Sequence, residues 1–239
     1  MKTTRRGFVR AALGGFAGAA LVGCSSDSNG GSGGGADAPA GGADAVGGGD
    51  GAASCTVYPR QTEGPYYLDL NSIRADITEG KPGAPLALVI RVLGADGCTA
   101  LAGVAVDVWH CTHDGVYSGY PGQLGGVDTT GQTFLRGTQV TGADGRATFA
   151  TIYPGWYPGR TTHIHFKVHL AGGLEATSQL YFDEATTSGV YATGVYAARG
   201  DKDTTNAGDG VNGGSVPPLL AVTADGDGWA GALDITVAS

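Results

Sequence analysis

A tyrosine, an arginine and two histidines fall within nine residues, at Tyr157, Arg160, His163 and His165. They lie in Ile152–Phe166, which reads I-Y-P-G-W-Y-P-G-R-T-T-H-I-H-F. Pro154, Gly155, Pro158 and Gly159 make a stiff turn of its first half. From His163 to Leu170 polar and apolar residues alternate, the period of a half-buried strand. Residues two apart on a strand share a face, so His163 and His165 project together while Ile164, Phe166, Val168 and Leu170 turn to the core. Neighbouring imidazoles suit Zn, Cu, Fe or Ni. A lone H-x-H is weak evidence of a metal, so the chemistry depends on what joins it.

A second tyrosine-bearing loop, Cys111 to Tyr120, leaves the end of a strand read over Val104–His110 and carries Tyr117. In an antiparallel sheet a strand's end and its neighbour's start lie together, so Tyr117 can reach Tyr157, His163 and His165. A free phenol has a pKa near 10, so only a strong Lewis acid holds it ionised at neutral pH. Anionic oxygen donors favour Fe(III) over Fe(II), and no Asp or Glu neighbours the histidine pair to make a 2-His-1-carboxylate ferrous site. The reading is a non-haem ferric centre of two tyrosines and two histidines. His110 and His113 lack structural zinc spacing and read as structural or supporting groups. His169 reads as a surface residue, Asp107 and Arg91 as a solvated or paired face. Tyr191 and Tyr196 read as loop anchors, and Tyr66 and Tyr67 as packing residues.

The elements that must position these groups are strands. Runs at Leu86–Leu93, Val104–His110, Ala147–Ile152, Gln179–Phe182 and Leu233–Val237 are punctuated by Asp-Gly pairs, as in antiparallel sheets. Helical signal is weak, with a short turn at most over Glu184–Tyr196. The fold class expected is all-β, an antiparallel β-sandwich with long irregular loops. Asp183 to Val216 is one such loop, of a kind that covers sites.

Residues 1–24 read as an export signal. Arg5-Arg6 resembles a twin-arginine motif, and Leu21-Val22-Gly23-Cys24 resembles a lipobox with Cys24 as the lipidated residue. Residues 25–53 are almost only Gly, Ala, Ser and Asp, a linker unable to bury a core and spanning on the order of 30 Å. The expected location is therefore the cell envelope or exterior, with membrane contact only through the anchor. Residues 54–239 suffice for one catalytic domain. A formal net charge of −8 argues against nucleic acid and is compatible with a small aromatic partner. Beyond Cys24 there are three cysteines, and export permits a disulfide. If Leu86–Leu93 and Val104–His110 form a hairpin, Cys98 and Cys111 lie too far apart to join. Cys55 is then in any bridge, with its partner open.

Taken in order, G-V-Y-S-G at Tyr117, P-G-W-Y-P-G at Tyr157, R-T-T-H-I-H-F at Arg160 to Phe166, and S-Q-L-Y-F at Gln179 resemble the intradiol ring-cleavage dioxygenases, as does the arm Q-T-E-G-P-Y-Y. The resemblance covers essentially all of Cys55 to Ser239. It implies a β-sandwich enzyme with Fe(III) held by Tyr117, Tyr157, His163 and His165, and with Arg160 and Gln179 facing the substrate. It implies a catechol-type diol opened by O2 between its oxygenated carbons to a cis,cis-muconate-type product. Tyr157 is the ligand implied to be displaced by substrate and to carry a proton, with Arg160 stabilising charge on the ring. Only five residues separate Tyr157 from His163, fewer than in the intracellular enzymes, so a more open pocket is expected. The resemblance does not reach their helical dimerisation domain and leaves oligomeric state open, as it does the particular catechol. Two other classes compete. One is a non-catalytic β-sandwich binding module with a vestigial site. The other is a zinc hydrolase, for which no carboxylate base is evident.

Overall fold

The computed structural model describes residues 55–238. The export signal, Cys24 and the linker lie outside the described residues.

Among the described residues, eight strands form two four-stranded sheets. In the first, β1 (Pro85–Gly94) lies between β4 (Arg146–Ile152) and β8 (Gly228–Val237), with β7 (Ala221–Asp225) beyond β8. In the second, β2 (Ala105–Trp109) and β5 (His163–His169) are central, with β3 (Arg136–Val140) and β6 (Glu175–Tyr181) at the edges. All pairings are antiparallel except β1 with β8. Period-two alternation turns Leu86, Leu88, Ile90 and Val92 of β1 inward, against Val106, Val108, Ile164, Phe166 and Val168 of the other sheet. Each such side chain is virtually inaccessible and contributes about 1.5–3 kcal/mol of burial.

Several expectations change. β1 and β2 are not a hairpin but belong to different sheets, because the chain crosses the sandwich between them. The cysteine argument that assumed a hairpin therefore falls. Cys55 is nonetheless bridged, to Cys98 at a Cα separation of 5.4 Å, and Cys111 is a buried free thiol. β5 is buried on both faces rather than half-buried, since the arm before β1 and the loops cover its polar side. Glu184–Tyr191 forms a two-turn helix, α1, capped by the Asp183 carboxylate accepting from Thr186 N–H. β3 (R-G-T-Q-V) and β7 (A-V-T-A-D) escape the periodic reading, because both are short edge strands without an apolar face. His169 is not a free surface residue. Its Nε2 lies 2.8 Å from Asp107 Oδ2, which also accepts from Tyr67 Oη at 2.8 Å.

Candidate metal centre

The start of β5 presents His163 and His165, both almost inaccessible to solvent. Their ring centroids are 4.8 Å apart. His163 Nδ1 lies 2.6 Å from its acceptor, the carbonyl of Thr161, which fixes the ring and leaves Nε2 with its lone pair. Facing that Nε2 are two phenols, Tyr117 Oη at 3.2 Å and Tyr157 Oη at 3.4 Å. His165 is set by register: β2 and β6 place Trp109 and Gln179 directly opposite it. The Trp109 indole stacks on the His165 imidazole at 4.9 Å and 8°.

The two tyrosine loops meet through a pair of glycines. A Cβ on Gly155 would collide with the backbone carbonyls of Thr112 and His113, and one on Gly115 with the carbonyl of Trp156. Gly115 also has φ +87°, a conformation only glycine adopts freely. The missing side chains let the loops touch backbone to backbone, with Gly155 N–H donating to Thr112 O at 3.2 Å. Tyr117 is further held by a stacked Tyr66 ring, centroids 4.4 Å apart. Tyr66 and Tyr67 are thus packing residues, and the surface Tyr66 packs on is that of the site. Tyr191 and Tyr196 anchor the loop after β6: Tyr191 Oη donates to Pro154 O at 3.0 Å and Tyr196 Oη to Tyr153 O at 2.6 Å.

Burial raises the Tyr117 phenol pKa well above its usual value, with neighbouring Tyr157 adding to the effect. Burial likewise takes Tyr157 up to about 12, against the pull of Arg160. His163 is pushed down to about 3, and His165 well below the ordinary imidazole value, chiefly by burial. The side chains alone are therefore neutral. His165 Nδ1 is buried without a hydrogen-bond partner, which costs about 1–3 kcal/mol. A multivalent cation among the donors reverses this balance, ionising the phenols and taking up imidazole lone pairs. Among the described residues no three His, Cys, Asp or Glu side chains come together. The oxygen donors gathered here are phenols rather than carboxylates, and once ionised by a cation the set fits a hard trivalent ion.

Arg160 stands at the rim. Its Nη1 donates to Tyr157 Oη at 3.1 Å, and Nη2 to Gln179 Oε1 at 2.5 Å. Gln179 Nε2 donates to Thr62 O of the arm at 3.2 Å. Tyr117 has no exposed surface, whereas Tyr157 and Arg160 are partly open. His110 faces away, bonded to Thr151 Oγ1 and Cys111 O. Trp109 and Asp209, which contacts Arg160, were not singled out from sequence. One enters through strand register and the other through a distant loop, so neither leaves a local signal.

Comparison with known proteins decides the family. A dioxygenase family model matches residues 62–200. An intradiol ring-cleavage dioxygenase from Tetranychus urticae is 30% identical with a TM-score of 0.71, over 77% of this chain and 95% of that one. This chain belongs to the intradiol ring-cleavage dioxygenase family. The dioxygenase domain of a dioxygenase carbohydrate-binding protein fusion from Streptomyces sp. SirexAA-E is 34% identical, TM-score 0.58, covering 77% and 99%. Chlorocatechol 1,2-dioxygenase of Cupriavidus pinatubonensis is 32% identical over 142 residues, 51% of this chain and 53% of that enzyme. The chain spans about half the length of the curated intradiol relatives it matches.

Proposed function

We propose that the protein is a non-haem Fe(III)-dependent intradiol dioxygenase that opens catechol-type aromatics with O2 to cis,cis-muconate-type products. The observation that carries this reading is the convergence of two phenols, buried Tyr117 and partly open Tyr157, on His163 Nε2, at 3.2 and 3.4 Å, with His165 beside them. Tyr117, Tyr157, His163 and His165 would hold the ion. When bound, Fe(III) supplies a Lewis acid that keeps phenols ionised and draws electron density from a catecholate.

The remaining roles belong to the chain. Tyr157 is the partly exposed phenol, so it gives way to the substrate, and its Oη takes up a substrate hydroxyl proton. Arg160 Nη1, 3.1 Å from that oxygen, stabilises the phenolate before the exchange and the negative charge of the bound diol after it. Gln179 holds the other end of the guanidinium. Tyr66 and Trp109 brace Tyr117 and His165 and keep water from the inner half of the site. Within the short Tyr157–His163 interval, Asp203 and Asp209 accept from Gly159 N–H and Thr161 N–H, which fixes the course of the turn.

Export with a lipid anchor at Cys24 is part of the same proposal. The Cys55–Cys98 disulfide supports it, because such bonds persist in oxidising compartments. Palmitate labelling of the full chain, abolished in Cys24→Ser, tests the anchor.

The activity is tested with the iron-loaded chain in an oxygen electrode, offering catechol, protocatechuate and hydroxyquinol. Uptake equimolar with a catechol, with muconate-type absorbance appearing, is expected. No uptake, or a yellow product of cleavage beside the diol, contradicts the reading.

A further inference from the structure

The segment following α1 closes over the turn that carries Tyr157 and Arg160. Gly200 O accepts from Trp156 Nε1 at 3.3 Å, Asp203 from Gly159 N–H at 3.2 Å, and Asn206 Oδ1 from Thr161 Oγ1 at 2.7 Å. At its centre is Asp209, whose side chain has no exposed surface. Its carboxylate accepts from Arg160 Nε at 3.0 and 2.9 Å, from Thr161 N–H at 3.0 Å and from Val211 N–H at 2.9 Å. Nothing in the proposed reaction uses Asp209. A guanidinium is planar and rigid, so holding its Nε edge fixes where the two terminal nitrogens point. Here they point to Tyr157 Oη and Gln179 Oε1. Freed of the carboxylate, Arg160 would sample rotamers and reach the charged oxygen only part of the time.

We infer that Asp209 is the positioning residue of Arg160, holding the guanidinium on the side of Tyr157 where negative charge develops. The inference rests on the dioxygenase reading. Its sequence counterpart is an Asp-Gly pair in the loop of residues 183–216, forty-nine residues beyond the arginine it serves.

The test is Asp209→Asn in the iron-loaded full chain, alone and combined with Arg160→Gln. In the single variant, iron content and the visible phenolate-to-iron absorption of the resting protein stay as in wild type. KM for catechol changes less than about threefold, and kcat falls about 10–100-fold. In the Arg160→Gln background the same substitution changes kcat less than about twofold, because its effect passes through the arginine. An unchanged kcat in the single variant, or a fully additive loss in the double variant, overturns the inference. If Asp209→Asn does not fold, wild-type protein loaded with diamagnetic Ga(III) decides by NMR. The Arg160 Nε–H, identified by its loss in Arg160→Gln, is expected to resist solvent exchange with and without catechol, and exchange at the free-arginine rate overturns the inference. A wild-type enzyme that consumes no oxygen with any catechol counts against the dioxygenase reading, while the Nε–H measurement still reports on the Arg160–Asp209 pair.

Discussion

Tyr117 Oη stands 3.2 Å from His163 Nε2 across forty-six residues of sequence. The distance depends on two loops lying backbone to backbone at Gly115 and Gly155. Gly155→Ala forces a methyl into the Thr112 and His113 carbonyls. Overpacking of this kind costs about 1–3 kcal/mol, or a melting temperature lower by about 2–12 °C in a domain of this size. Because the substitution separates the two tyrosines, bound iron per chain should fall as well. Calorimetry and metal analysis of the variant check both, and a lowered melting temperature with full iron content would detach the loop contact from the site.

His110 links stability to pH. It is fully buried, and burial lowers its pKa from 6.5 to about 4. The unfolded chain takes up this proton below pH 6.5, while the folded chain refuses it until about pH 4. The folded state therefore loses stability as pH falls between those values, by about 1.4 kcal/mol per unit and about 3 kcal/mol in all. Urea unfolding of the metal-free protein from pH 7 to 4 should show a shallower slope in His110→Gln than in wild type, whatever the variant's stability at pH 7. Parallel slopes would show that the folded state accepts the proton.

The Cys55–Cys98 bridge spans 43 residues and ties the arm to the turn after β1. Closing a loop of that length restricts the unfolded chain by about 4 kcal/mol. Reduction, or the Cys55→Ser/Cys98→Ser pair, should lower the melting temperature by about 8–16 °C. Cys111, buried, with burial raising its thiol pKa to about 12, should resist alkylation in the same folded protein. A melting temperature insensitive to reductant would place the arm's stability in its other contacts.

The sandwich was legible because β1, β2 and β4 alternate buried and more open residues over most of their length, and β5 alternates polar and apolar ones. The edge strands β3 and β7 carry no such pattern, and their pairing is decided by neighbours. Around the site, His163 and His165 declare themselves by spacing, and Tyr117 and Tyr157 by the loops they occupy. What local sequence could not supply is anything set by topology. The crossover that parts β1 from β2 separates residues a hairpin would have joined. The strand register that lays Trp109 on His165 and the loop that brings Asp209 to Arg160 act between residues far apart in the chain. Each is a long-range contact whose partners look ordinary by themselves.

The central claim is that two phenols and two imidazoles hold ferric iron. The most direct measurement is visible absorption during titration of metal-free protein with Fe(III), in wild type and in Tyr117→Phe/Tyr157→Phe. Wild type should turn red to burgundy, with a phenolate-to-iron band that saturates at one ion per chain, and the double variant should show no such band. An iron-loaded wild-type protein without colour, or a band that survives loss of both phenols, would contradict the account.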